Sequence, residues 1–209
     1  MLLGNYFEQE PTWPTDGRHI LAQYDDDSIV VYQAYRESTA AYAVEHQRFG
    51  RDFSFSRMSW IKPNFLWMMY RSGWATKPAQ ERILAVRIGR DFFEEILVAA
   101  VPSTFDSRRF DSPGHWKEAL ATSEVRLQWD PDHDPSGTPL ARKALQLGLR
   151  GNMLRRYATE EIVSIEDITG FVLDQRAHAT SPFSRLAVPV ERVLRPADSR
   201  AADAVGLDV

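Results

Sequence analysis

The residues best suited to chemistry lie between Phe49 and Trp74, in the stretch FGRDFSFSRMSWIKPNFLWMMYRSGW. Arg57, Lys62, Arg71 and Lys77 border an aromatic block there, an arrangement suited to an anionic ligand that carries a planar ring. Guanidinium groups pair with phosphate oxygens two at a time, and indole or phenol rings stack on bases. Between Arg48 and Arg90 nine basic residues stand against two acidic ones, although the whole chain has a formal charge of -4. The positive charge is therefore local, and it fits a compact anion or a nucleic-acid strand in one groove.

Neighbouring elements must present these groups. Phe53, Ser54, Phe55 and Ser56 alternate apolar and hydroxyl residues, the period of a strand with Ser54 and Ser56 on its accessible face. Lys62-Pro63 predicts an extended residue followed by the first turn of a helix, with Pro63 at N1 and a stop at Ser72-Gly73. Lys62 would then sit beside free helix amides that also attract phosphate. Tyr32, Gln33 and Tyr35 leave the apolar strand Ile29 to Ala34 and offer a ring wall, with Trp60 as a further stacking surface. Gln146, a polar residue in the apolar segment Leu140 to Leu149, would reach the same cleft from a distant strand. The plainer alternative assigns the aromatic block to the core.

The rest of the chain predicts helices over 37–47, 90–100 and 167–176 and strands over 83–88 and 124–129. DPDHDP at 130–135 places three carboxylates and one imidazole in six residues, yet its two prolines restrict convergence and the spacing of a calcium loop is missing. An exposed hairpin turn is the expectation there, and no metal site. The chain has no cysteine, which excludes disulfides, thiol catalysis and cysteine-ligated metals. It also lacks a phosphate-binding lysine loop, a dinucleotide GxGxxG, an HExxH helix and a GxSxG elbow. With 209 residues, 44% hydrophobic and 26% charged, one α+β domain with a central, mostly antiparallel sheet is expected over 20–195. Residues 1–19 read as an extension and 196–209 as a flexible tail. No stretch has the length to span a bilayer and the start MLLGNYFEQE lacks a secretory pattern, so a cytoplasmic protein without membrane contact is expected.

The segments YDDDSIVVYQAY, FSFSRMSWIKPNFLWMMYRSGW, QERILAVRI, VRLQWDPDHDPSG and LQLGLRG resemble the hallmark segments of the domain of unknown function family 4291, over about Ile20 to Leu194. Lys143-Ala144 departs from the arginine and serine that the family favours. That resemblance implies membership and no established activity. More distantly, the chain is similar to the ADP-ribosyltransferase superfamily, in which an early strand clamps the ligand, a second strand bears serine and a late strand presents a catalytic glutamate. The likeness implies Tyr32 or Gln33 for the first region, Ser54 and Ser56 for the second and Gln146 for the third, with Gln146 and Tyr32 as the catalytic candidates. It further implies NAD as the ligand, with Arg57 and Lys62 on the pyrophosphate and Gln33, Tyr35, Ser54, Ser56 and Trp60 around the remainder. Glutamine cannot serve as the usual carboxylate, which leaves nucleotide binding without transfer, or chemistry assisted by another acid. Two other classes stay open: an RNA or single-stranded nucleic-acid module using Phe53, Phe55, Trp60, Trp67 and Tyr70, and a structural or interaction protein.

Overall fold

The computed structural model describes residues 1–208. Along the chain run β1 (Leu3–Asn5), α1 (Tyr6–Gln9), a 3-10 turn (Glu10–Thr12), β2 (Ile20–Ala22), β3 (Ser28–Tyr35), α2 (Glu37–His46), β4 (Ser59–Ile61), α3 (Phe65–Ser72), β5 (Arg82–Gly89) and α4 (Arg90–Val98). There follow β6 (Ala100–Pro102), α5 (Pro113–Thr122), β7 (Val125–His133), β8 (Pro139–Leu149), α6 (Gly151–Thr159), β9 (Ile162–Asp167), α7 (Thr169–Arg176), β10 (Ala187–Pro189), β11 (Arg192–Leu194) and α8 (Ser199–Val205). They build one α+β domain whose strands divide among four sheets, ordered β3-β5-β9, β4-β8-β7-β6, β1-β10 and β11-β2. β6 and β7 are parallel and the other pairings antiparallel, so the expected central sheet is in fact split and mixed.

β3 is apolar nearly throughout because both of its faces are covered. Ile29 and Val31 enter one core cluster, and Val30 and Tyr32 enter a second. At its far end the strand joins the two larger sheets: the Tyr32 N–H donates to the Lys62 carbonyl at 2.7 Å. α3 begins after Asn64, whose Oδ1 accepts the Trp67 N–H at 2.7 Å, so Pro63 stands outside the helix and not at N1. The Phe65 N–H donates to Glu191 Oε1 at 2.6 Å. Of the helix amides expected to be free beside Lys62, the Phe65 N–H is thus taken by a carboxylate and the Trp67 N–H by the Asn64 cap. Gly73 ends the helix with φ 60°, a conformation that glycine adopts without steric cost.

Three other expectations are corrected. Phe53 to Ser56 is a turn and not a strand, since Arg51 takes φ 52° and the Phe53 N–H returns to the Gly50 carbonyl at 2.9 Å. Its phenylalanines alternate in sequence but pack as a knot, Phe53 lying 4.7 Å from Phe49 and 5.1 Å from Phe55 between ring centroids. DPDHDP does not turn as a unit: β7 runs on to His133 through an irregularity after Pro131, and the reversal falls at Asp134 to Thr138. Asp132 is only 1% exposed, where Arg142 Nε donates to it at 2.8 Å. Within the segment read as a tail, Ser199–Val205 forms α8, with Ala201 and Val205 buried and the Trp129 indole donating to the Val205 carbonyl at 2.8 Å. Among the described residues no helix is long and apolar enough to cross a membrane.

The Arg142–Asp132 pair ties the amino-terminal segment to the β7–β8 hairpin, because Arg142 also donates to the Pro14 carbonyl at 2.7 Å and lies over the Trp13 ring. Truncating one partner strands the other charge in the core. Arg142→Ala is expected to cost about 3–5 kcal/mol in denaturant unfolding, and replacing both partners by Asp132→Leu and Arg142→Met to recover most of that loss. Equal losses in the single and double variants would show that the pair itself, and not the stranded charge, sets the cost.

Candidate functional site

A cleft of about 590 Å³ opens between the end of β3, the turn at 50–59, α3 and the outer face of the β7–β8 hairpin. Its size is that of an ordinary small-molecule site. Arg36, Arg57, Lys62 and Arg71 line it, supplied by four different segments. Among the described residues no carboxylate oxygen approaches any of these four within 4.0 Å. Arginines elsewhere in the molecule, such as Arg82, Arg87 and Arg156, do have such partners. Trp60 and Trp67 add flat apolar surface, and the Lys62 amine stands 5.0 Å from the Trp67 ring centroid.

Lys62 is the most buried of the four. It is only 5% exposed, and burial, reinforced by the positive charge of Arg71 and opposed by Asp130, pulls its amine down from 10.5 to about 7. Desolvation disfavours the ammonium form, and no adjacent carboxylate restores it. Across the floor, Gln128 and Gln146 oppose each other in register on β7 and β8. Gln146 Nε2 donates to Gln128 Oε1 at 2.8 Å and also to Asp130 Oδ2. Burial raises the Asp130 carboxyl above its usual value, against the hydrogen bond from Gln146 and the charge of Lys62.

The structure brings Gln33, Tyr35, Ser54, Arg57, Trp60, Lys62 and Gln146 to this one cleft. Their availability differs. Gln33 is spent on the protein: Nε2 donates to Tyr35 Oη at 2.8 Å and Ser59 Oγ at 2.9 Å, while Oε1 accepts from Tyr157 Oη at 2.7 Å. Gln33 therefore braces the wall, because an amide with these bonds made has little left for a ligand. Tyr35 Oη shares the Ser59 hydroxyl at 3.0 Å. Tyr32 does not reach the cleft. Adjacent strand residues face opposite ways, and its ring packs 5.4 Å from that of Phe65 with no surface exposed. Ser56 lies on the turn outside the lining, with its hydroxyl 3.3 Å from that of Ser54.

Gln128, Arg36 and Gln80 are not among the predicted site residues, and Asp130 enters the sequence reading only within the DPDHDP run. The two-residue period of β7 puts Gln128 and Asp130 on one face, but only the register of the hairpin shows that this face is also that of Gln146.

The buried amine has a consequence for stability. The unfolded chain keeps the ammonium up to pH 10.5 and the folded chain only to about 7, so the burial penalty is full below pH 7 and absent above 10.5. Lys62→Met should therefore be more stable than the native chain at pH 6, with an advantage that shrinks steadily toward pH 10.5. Parallel stability curves for the two proteins across that range would refute the burial of an unpaired amine.

A family model described as Domain of unknown function (DUF4291) matches residues 19–194. No curated protein matches the chain. The matched region holds every cleft residue named above and extends over most of the sequence, and the chain belongs to the DUF4291 family.

Proposed function

We propose that the cleft binds a nucleotide, with its phosphates on the cationic side chains and a planar ring against the tryptophans. One observation carries this reading: Arg36, Arg57, Lys62 and Arg71 line a single cavity, and among the described residues none has a carboxylate within 4.0 Å. Unpaired cations held close together repel one another, and a bound polyanion removes that cost. NAD, ADP-ribose and AMP all offer phosphate joined to an aromatic base. The α3 amino terminus takes no part, because Glu191 accepts the Phe65 N–H and Asn64 Oδ1 the Trp67 N–H.

ADP-ribosyl transfer is the finer reading, and the Gln146–Asp130 hydrogen bond is what favours it. At the position where the likeness to ADP-ribosyltransferases implies a carboxylate, this chain has an amide with a carboxylate beside it. Loss of nicotinamide from NAD leaves a cationic ribosyl centre, which an ionised carboxylate and an amide oxygen stabilise. Nicotinamide released from NAD by the native protein and not by Asp130→Ala would support transfer or hydrolysis. NAD recovered intact after binding leaves binding as the function.

A nucleic-acid strand is the competing ligand. A cleft of about 590 Å³ lined by four cations from separate segments favours a compact phosphate over a strand that tracks along a surface. Calorimetry with AMP, ADP-ribose, NAD and short RNA separates them: a compact ligand gives a shallow dependence on salt, and RNA a steep one. Arg57→Ala is expected to weaken nucleotide affinity roughly tenfold to a hundredfold, the range for one charge-assisted hydrogen bond. Because only the ammonium form attracts phosphate and Lys62 titrates at about 7, affinity should fall as pH rises from 6 to 8.5, and Lys62→Met should flatten that fall. Absence of binding by every nucleotide at millimolar concentration would refute the proposal.

A further inference from the structure

The hydrogen bonds on the cleft floor fix which way its amides face. Gln146 Nε2 has two hydrogens, and both are used, one on Gln128 Oε1 at 2.8 Å and one on Asp130 Oδ2. Reversing Gln146 would set its carbonyl oxygen against a carboxylate, and reversing Gln128 would set two NH₂ groups face to face. Asp130 thus orients Gln146, and Gln146 orients Gln128. Two polar atoms remain without a partner among the described residues: the oxygen Oε1 of Gln146, an acceptor, and the nitrogen Nε2 of Gln128, a donor. Neither is sealed in the protein interior, both side chains line the cleft, and their strands hold the two residues directly opposite each other.

Resting on the nucleotide reading, we infer that Gln128 and Gln146, oriented by Asp130, select the planar group of the ligand by presenting a donor beside an acceptor. The complementary edge carries an acceptor next to a donor. A 6-aminopurine has it in N7 and the N6 amino group, and a primary carboxamide has it in its oxygen and nitrogen. Placed by the same N7 edge, a 6-oxopurine offers two acceptors, and a carboxylate likewise has no donor, so each leaves the Gln146 oxygen unmatched. Leaving a buried polar group unmatched discriminates between ligands more strongly than an added favourable contact does. Asp130 acts in this selection as a positioning residue, through Gln146, and makes no contact with the planar group.

Three dinucleotides test it in calorimetry: NAD, nicotinic acid adenine dinucleotide, in which a carboxylate replaces the carboxamide, and nicotinamide hypoxanthine dinucleotide, in which an oxo group replaces the amino group. The expected result is that one replacement weakens affinity at least tenfold and the other leaves it within about twofold, which identifies whether carboxamide or adenine lies on the floor. Asp130→Asn should bring that ratio close to one, since its own amide can face Gln146 by either end, and Gln146→Leu should do the same by removing the acceptor that meets the ligand's donor. A general loss of affinity with the ratio retained in both variants would contradict the assignment. Equal binding of all three dinucleotides by the native protein overturns the inference and leaves the nucleotide reading standing. Failure of all three to bind overturns both.

Discussion

A lysine amine held in a nearly dry site without a carboxylate beside it is the constraint around which the cleft is built. Lys62 occupies the junction of the two larger sheets, where its carbonyl accepts the Tyr32 N–H at 2.7 Å. The backbone of this residue therefore joins the sheets while its side chain reaches the cavity between them. Any shift of β4 against β3 moves the amine. The charge is unfavourable where it stands, with the Trp67 ring 5.0 Å away as a weak substitute for an anion. A fold that keeps such a group pays for it elsewhere, and the two core clusters flanking β3 supply the burial that does so.

The same logic explains why α3 is not the anion site. Helix amino termini attract phosphate, but the Phe65 N–H already meets Glu191 at 2.6 Å, and Asn64 Nδ2 approaches the same carboxylate at 3.3 Å. Burial pushes the Glu191 carboxyl up to about 8, and the Phe65 hydrogen bond opposes that shift. On the proposed reading, recognition of an anion consequently rests on side chains from separate segments. Such an arrangement is sensitive to the turn at 50–59, which carries Arg57 and is shaped by the stacking of Phe53 on Phe49 at 4.7 Å.

Much of this was legible in the sequence where local pattern decides the outcome. The apolar run at Ile29, the helix from Phe65 to Ser72 with Gly73 as its stop, and the alternation of Val125, Leu127 and Trp129 each follow from a period that one element alone imposes. The failures are cases in which a distant partner decides. FSFS has the period of a strand, yet a left-handed Arg51 and three packed rings make it a turn. Two prolines in DPDHDP suggest a reversal, yet Arg142, ten residues further on, draws Asp132 into the core and the strand continues. The site was legible by composition more than by geometry. Tyr32 and Gln33 are neighbours and only one of them can face a given side of β3. The partnership of Gln128, Asp130 and Gln146 required the register of a hairpin that no local pattern encodes.

The central claim is that unpaired cations around Lys62 hold the phosphates of a nucleotide. A crystal structure with ADP-ribose bound tests it most directly. The account predicts phosphate oxygens within about 3.2 Å of the Lys62 amine and the Arg57 guanidinium, with the adenine or ribose toward Gln128 and Gln146. A ligand bound elsewhere, with Lys62 left facing only Trp67 and water, would contradict it.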